Sequence, residues 1–135
     1  MKESNIQTIW GKYLIANPPS VSESHELKLS KTKSIRIDAV KVHQVKGLNM
    51  SKTGLYYKIQ DMSAANGFAN PKPFDNFWLI NTIGYVVICF YILRQKKFVY
   101  KIPIDVWVRE TEKIGKKSVK ETEIASWTDV EKISL

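Results

Sequence analysis

With 135 residues, 44% hydrophobic and 25% charged, the chain has the apolar content to bury one domain core, which excludes bulk disorder. Its 21 Lys and Arg outnumber 13 Asp and Glu, giving a net charge of +8 that favours polyanions, nucleic acid first among them. The single cysteine, Cys89, excludes an internal disulfide and a cysteine-based zinc site.

Read in chain order, apolar residues at Ile6, Ile9, Trp10, Tyr13 and Leu14 have helical spacing, and Asn17-Pro18-Pro19-Ser20 stops that helix. A strand is expected over 22–29, with Glu26 and Lys28 on one face and His25, Leu27 and Leu29 on the other. A charged loop follows over 31–36. A second helix is expected from Asp38, as its N-cap, to the stop at Thr53-Gly54. Strands are then expected over 55–59, 74–80, 85–93 and 98–104, the third apolar on both faces and hence covered on both sides. Between the first two lies a long loop over 61–72, rich in Gly, Ala, Asn, Ser and Pro. Ser118-Val119-Lys120-Glu121 reads as a capping box opening a last short helix. The expected fold is α/β: a single mixed β-sheet flanked by helices, as one domain over 1–135. The start, MKESNIQTIWGKY, lacks the apolar core of a secretory leader, and the apolar run over 83–93 is too short to span a bilayer. A cytoplasmic protein with no membrane association is expected.

The positive charge is unevenly placed. Over 27–59 the chain carries Lys28, Lys31, Lys33, Arg36, Lys41, Lys46, Lys52 and Lys58 against Asp38 alone, while Glu110, Glu112, Glu121, Glu123, Asp129 and Glu131 collect toward the C-terminus. Glu26 and Lys28, two residues apart on a strand, project from the same face. That arrangement suits magnesium-assisted phosphodiester cleavage: the carboxylate ligates a hard cation, and the ammonium stabilises developing negative charge or orients water. A solvent-facing Glu–Lys pair on an edge strand is the plain alternative. Gln44 shares a helical row with Val40 and Leu48 and is expected to face the sheet, where a buried amide needs partners. His43 points outward to touch phosphate or does nothing, and two histidines make a histidine-based metal site improbable. The aromatic residues, Trp78 among them, are mostly core by position, while Tyr56 or its neighbour beside Lys58 packs in the sheet or stacks an unpaired base, with sheet packing the expected use.

The stretch ELKLSKTKSIRIDAVKVHQVKGL resembles the PD-(D/E)XK nucleases, in which an E-x-K strand precedes a basic loop and a helix carrying His-Gln. The segment YVVICFYILRQKKFVYKIPIDVWVRETEKIGKKSVKETEI is similar to the end of RecU-type Holliday-junction resolvases. The resemblance covers about three quarters of the chain and implies a restriction-endonuclease-like core. It further implies a Mg2+-dependent (or Mn2+-dependent) endonuclease acting on branched or double-stranded DNA as a homodimer. Glu26, Lys28, Gln44 and a second carboxylate would form its active site. The family's Asp just before E-x-K has no obvious counterpart, since Glu23 falls on the opposite face. Asp75, in Lys72-Pro73-Phe74-Asp75, looks like that motif moved downstream, with Asp61 as its rival. Either is equally well a turn residue capping a strand end. Lys31, Lys33, Arg36, Lys41, His43, Lys58 and Lys72 are the side chains expected on DNA phosphates. Two further functions stay open: a nuclease-fold binding module without activity, and a basic interaction protein docking an acidic partner.

Overall fold

The computed structural model describes residues 2–58 and 76–135, and of 57–58 and 76–77 the backbone alone. Asp61, Lys72 and Asp75, the side chain of Lys58, and the loop expected over 61–72 lie outside the described residues.

The fold is α/β, a mixed four-stranded sheet flanked by helices. Helix α1 (Glu3–Ala16) ends where the Asn17 N–H reaches the Tyr13 carbonyl at 2.8 Å and the two prolines follow. Strand β1 (Glu23–Ser30) lies at one edge of the sheet. After it come a three-residue strand β2 (Ser34–Arg36), a 3-10 turn (Ile37–Ala39), helix α2 (Val42–Thr53) and a two-stranded ribbon of β3 (Leu55–Lys58) and β4 (Asn76–Leu79). Strand β5 (Ile83–Phe90) returns parallel to β1, with Glu26 opposite Val86 and Lys28 opposite Ile88. Strand β6 (Phe98–Pro103), helix α3 (Ile104–Ile114), strand β7 (Ser118–Lys120), helix α4 (Glu121–Ser126) and strand β8 (Glu131–Ser134) complete the chain. The sheet order is β1-β5-β6-β8, and β2 pairs antiparallel with β7 apart from it.

The central strand β5 is covered on both faces, as its unbroken apolar run requires. Val86, Ile88 and Phe90 join Leu48, Tyr100, Ile102 and Trp107 on the α2–α3 side, while Val87 and Cys89 meet Ile6 and Trp10 of α1 on the other. Burial pushes the Cys89 thiol up, which keeps it protonated and inert. Among the described residues no helix is long and apolar enough to cross a membrane.

Four sequence expectations are corrected. Asp38 does not cap α2: its carboxylate takes the Arg36 guanidinium at 2.9 and 2.7 Å, and the helix begins at Val42 with Lys41 at the N-cap. Ser34–Arg36 is a strand, not a loop. Ser118–Lys120 forms β7 against it with Val119 fully buried, so Ser118 is paired in a strand and the last helix starts at Glu121. Trp78 is 62% exposed, its ring tilted against that of Tyr56 with centroids 5.0 Å apart.

Helix α2 sits close on β5 because Gly84 has no side chain. A Cβ there would stand 2.6 Å from the Leu48 carbonyl oxygen and 2.8 Å from Leu48 Cβ, contacts with the helix itself that cannot rotate away. Gly84→Ala should therefore lower stability by about 1–3 kcal/mol, read from the denaturant midpoint, by lifting α2 off the sheet. An unchanged midpoint would mean that the helix has room to move.

Candidate active site

Alternation along β1 sends Ser24, Glu26 and Lys28 toward α2, and Glu23, His25 and Leu27 toward α1. Lys28 Nζ lies 3.2 Å from Glu26 Oε1, with the two side chains only 14% and 28% exposed. From the first turn of α2, Gln44 Nε2 donates to the same Glu26 oxygen at 2.8 Å. The Gln44 orientation is fixed from behind, because its Oε1 accepts the Lys41 backbone N–H at 2.9 Å; only an oxygen can do that, so the NH2 must face Glu26. The expected inward Gln44 is thus correct, with Glu26 and the helix N-terminus as its partners.

Glu26 Oε1 takes both donors, and Oε2 takes none among the described residues. The carboxylate borders a cavity of about 310 Å³ that Ser24, His43, Gln44 and Ser51 also line, together with Leu55 and Leu79 of the β3–β4 ribbon. The two serine hydroxyls lie 3.0 Å apart, and Ser51 also donates to the Leu48 carbonyl, so neither is set up as a nucleophile beside a base.

Lys31, Lys33, Arg36, Lys41 and His43 are all exposed. Lys41 and His43 stand at the start of α2 next to Gln44; Lys31, Lys33 and Arg36 gather beyond the far end of β1. Arg36 is partly neutralised by Asp38, whose carboxyl its guanidinium holds below the usual range. Among the described residues no group of three His, Cys, Asp or Glu could hold a metal ion, and no second acid accompanies Glu26.

Glu23 belongs to a different cluster under α1. Its carboxylate, 5% exposed, is gripped by Lys101, 2.7 Å from Nζ to Oε2, and that ammonium lies 4.3 Å above the Tyr85 ring. Trp10 Nε1–H donates to His25 Nδ1 at 2.9 Å, which fixes the neutral imidazole with its proton on Nε2. His25 Nε2 stands 3.6 Å from Glu23, too far for a hydrogen bond. Burial pushes His25 below its ordinary value of 6.5; Glu23 opposes this and Lys101 adds to it. Tyr85, which feels Glu23, Lys101, Glu131 and Asp105, is pushed up by burial and stays neutral. The folded state therefore binds fewer protons at His25 than the unfolded chain, and stability is lost as pH falls below about 6.5. His25→Gln keeps an acceptor for Trp10 but cannot titrate, so its loss of melting temperature between pH 7 and pH 5 should be smaller than wild type's. Equal losses would put the titration elsewhere.

No protein-family model, curated protein or solved structure matches this chain.

Proposed function

We propose that the chain is a metal-dependent, structure-specific endodeoxyribonuclease of PD-(D/E)XK type that cuts branched DNA, in the manner of a Holliday-junction resolvase, and acts as a homodimer. The observation that carries this reading is the set formed by Glu26, Lys28 and Gln44: an E-x-K strand whose carboxylate is aimed by an amide from the following helix. The β1–α2–β5 unit, with parallel strands and the helix packed across them, supplies the rigid support such a site needs.

Mg2+ or Mn2+ fits in part. Glu26 Oε2, which takes no donor among the described residues, is a hard oxygen ligand; the second carboxylate of this proposal, Asp75 with Asp61 as its rival, is outside them. When bound, the ion supplies positive charge against the scissile phosphate. The chain's own residues do the rest. Glu26 would hold the ion through its carboxylate, Lys28 stabilises charge gathering on the phosphate oxygens or orients the attacking water, and Gln44 holds the carboxylate in one rotamer. Lys31, Lys33, Arg36, Lys41, His43, Lys58 and Lys72 are assigned to backbone phosphates, contacts that position DNA without reading its sequence.

One observation favours a second reading, a nuclease-fold binding module without activity. Among the described residues Glu26 has an ammonium beside it and no second acid. Gln44 tests the nuclease reading. As a positioning residue, Gln44→Leu should cut cleavage by roughly 10–100-fold and raise the Mg2+ concentration needed for half-maximal rate. A normal metal requirement in Gln44→Leu would remove the amide from the site.

A further inference from the structure

The β2–β7 ribbon joins two basic segments that are far apart in sequence. Ser34 lies opposite Lys120 and Arg36 opposite Ser118; the pairing continues at both ends, with Glu121 N–H on the Lys33 carbonyl and Ile37 N–H on the Lys117 carbonyl, each 2.9 Å. Ile35 and Val119 bury the inner side of the ribbon in the α2-side core, so it is a fixed surface. Six cations result: Lys31, Lys33, Arg36, Lys116, Lys117 and Lys120, all exposed. Arg36 is paired with Asp38, and Lys116 with Glu123 at 3.1 Å. Lys31, Lys33, Lys117 and Lys120 enter no ion pair among the described residues. The adjacent Glu121 carboxylate is turned inward to accept the Tyr100 hydroxyl at 2.9 Å, so it does not cancel them.

This surface is tied to the strand that carries Glu26. Ser30, the last residue of β1, donates its hydroxyl to the Ser34 carbonyl. Four residues of strand separate Glu26 from Ser30, about 13 Å.

We infer that Lys31, Lys33, Lys117 and Lys120 form one phosphate-binding platform that holds a duplex arm beyond the cleaved bond. The inference rests on the nuclease reading and adds Lys117 and Lys120 to the DNA surface. Lysine ammoniums on a rigid ribbon are point charges for backbone phosphate, blind to sequence.

The test is a salt titration of the full chain on a four-way DNA junction in EDTA, followed by fluorescence anisotropy. Each phosphate contact contributes about −0.9 to the slope of log affinity against log salt, so Lys117→Ala/Lys120→Ala should make the slope shallower by about 1.8. Between 50 and 200 mM salt the variant should then lose about twelvefold less affinity than wild type. Lys12→Ala, on the helix covering the other side of the sheet, should leave the slope unchanged. An unaltered slope in the double variant, with melting and wild-type binding intact, overturns the platform but not the nuclease, and is the result expected if these lysines dock an acidic protein instead. An equal change in Lys12→Ala also overturns it, reducing the effect to net charge. Wild type that binds no junction at low salt overturns the nuclease reading, and the platform with it.

Discussion

Glu26→Gln should reduce Mg2+-dependent cleavage of a four-way DNA junction by roughly a thousandfold or more while the protein still folds and binds DNA. The substitution keeps the shape of the side chain and an acceptor for the Gln44 NH2, whose orientation Lys41 fixes independently. What it removes is charge. A neutral amide oxygen is a poor ligand for a hard cation, and the Lys28 ammonium, 14% exposed and 3.2 Å away, loses its counter-charge. Some stability should go with it, but the core on either side of β5 does not involve these groups. Rates are read from single-turnover cleavage, and folding from thermal melts of the same sample. Wild-type rates in Glu26→Gln would remove this residue from the chemistry.

Asp75→Asn should abolish cleavage as completely, and Asp61→Asn should not. One carboxylate holds Mg2+ weakly, because the ion keeps most of its waters and gains little from a single ligand. The structure narrows where a second one can come from: Glu23, the nearest acid in sequence, is on the opposite face and bound to Lys101. Leu79, at the end of the strand that follows Asp75 in sequence, lines the cavity at Glu26. With both carboxylates present, millimolar Mg2+ should raise the melting temperature of wild type and leave that of Asp75→Asn unchanged. Full activity in Asp75→Asn with loss in Asp61→Asn would exchange the two assignments.

The parts of the fold legible in the sequence are those whose signal is local. The helical spacing of Ile6 and Trp10 ends at Asn17-Pro18-Pro19, and the apolar run of β5 marks a central strand. The period of two in β1 places Glu26 and Lys28 together and Glu23 opposite, and the helical row carries Gln44 inward. Strands β2 and β7 were beyond such reasoning, since three residues carry no usable period and their pairing depends on a partner far along the chain. That pairing also hides the basic surface, which in sequence is split between a basic stretch and an acid-rich one. Helix α3 carries its own local signals: Pro103 ahead of its first turn, Ile104 and Trp107 on one face, and Gly115 in the left-handed conformation at its end. Trp78 misleads for another reason: its large apolar ring argues for burial, but its strand belongs to a two-stranded ribbon that leaves this residue uncovered.

Whether the chain is an enzyme is decided by incubating wild-type protein with a labelled four-way junction, with and without Mg2+, alongside a linear duplex of the same sequence. Nicked arms should appear from the junction in Mg2+ or Mn2+, stop with EDTA, and be far fewer from the linear duplex. Junction that is bound at low salt yet stays whole in millimolar metal, with no metal-dependent rise in melting temperature, would contradict the enzyme and leave a DNA-binding module in its place.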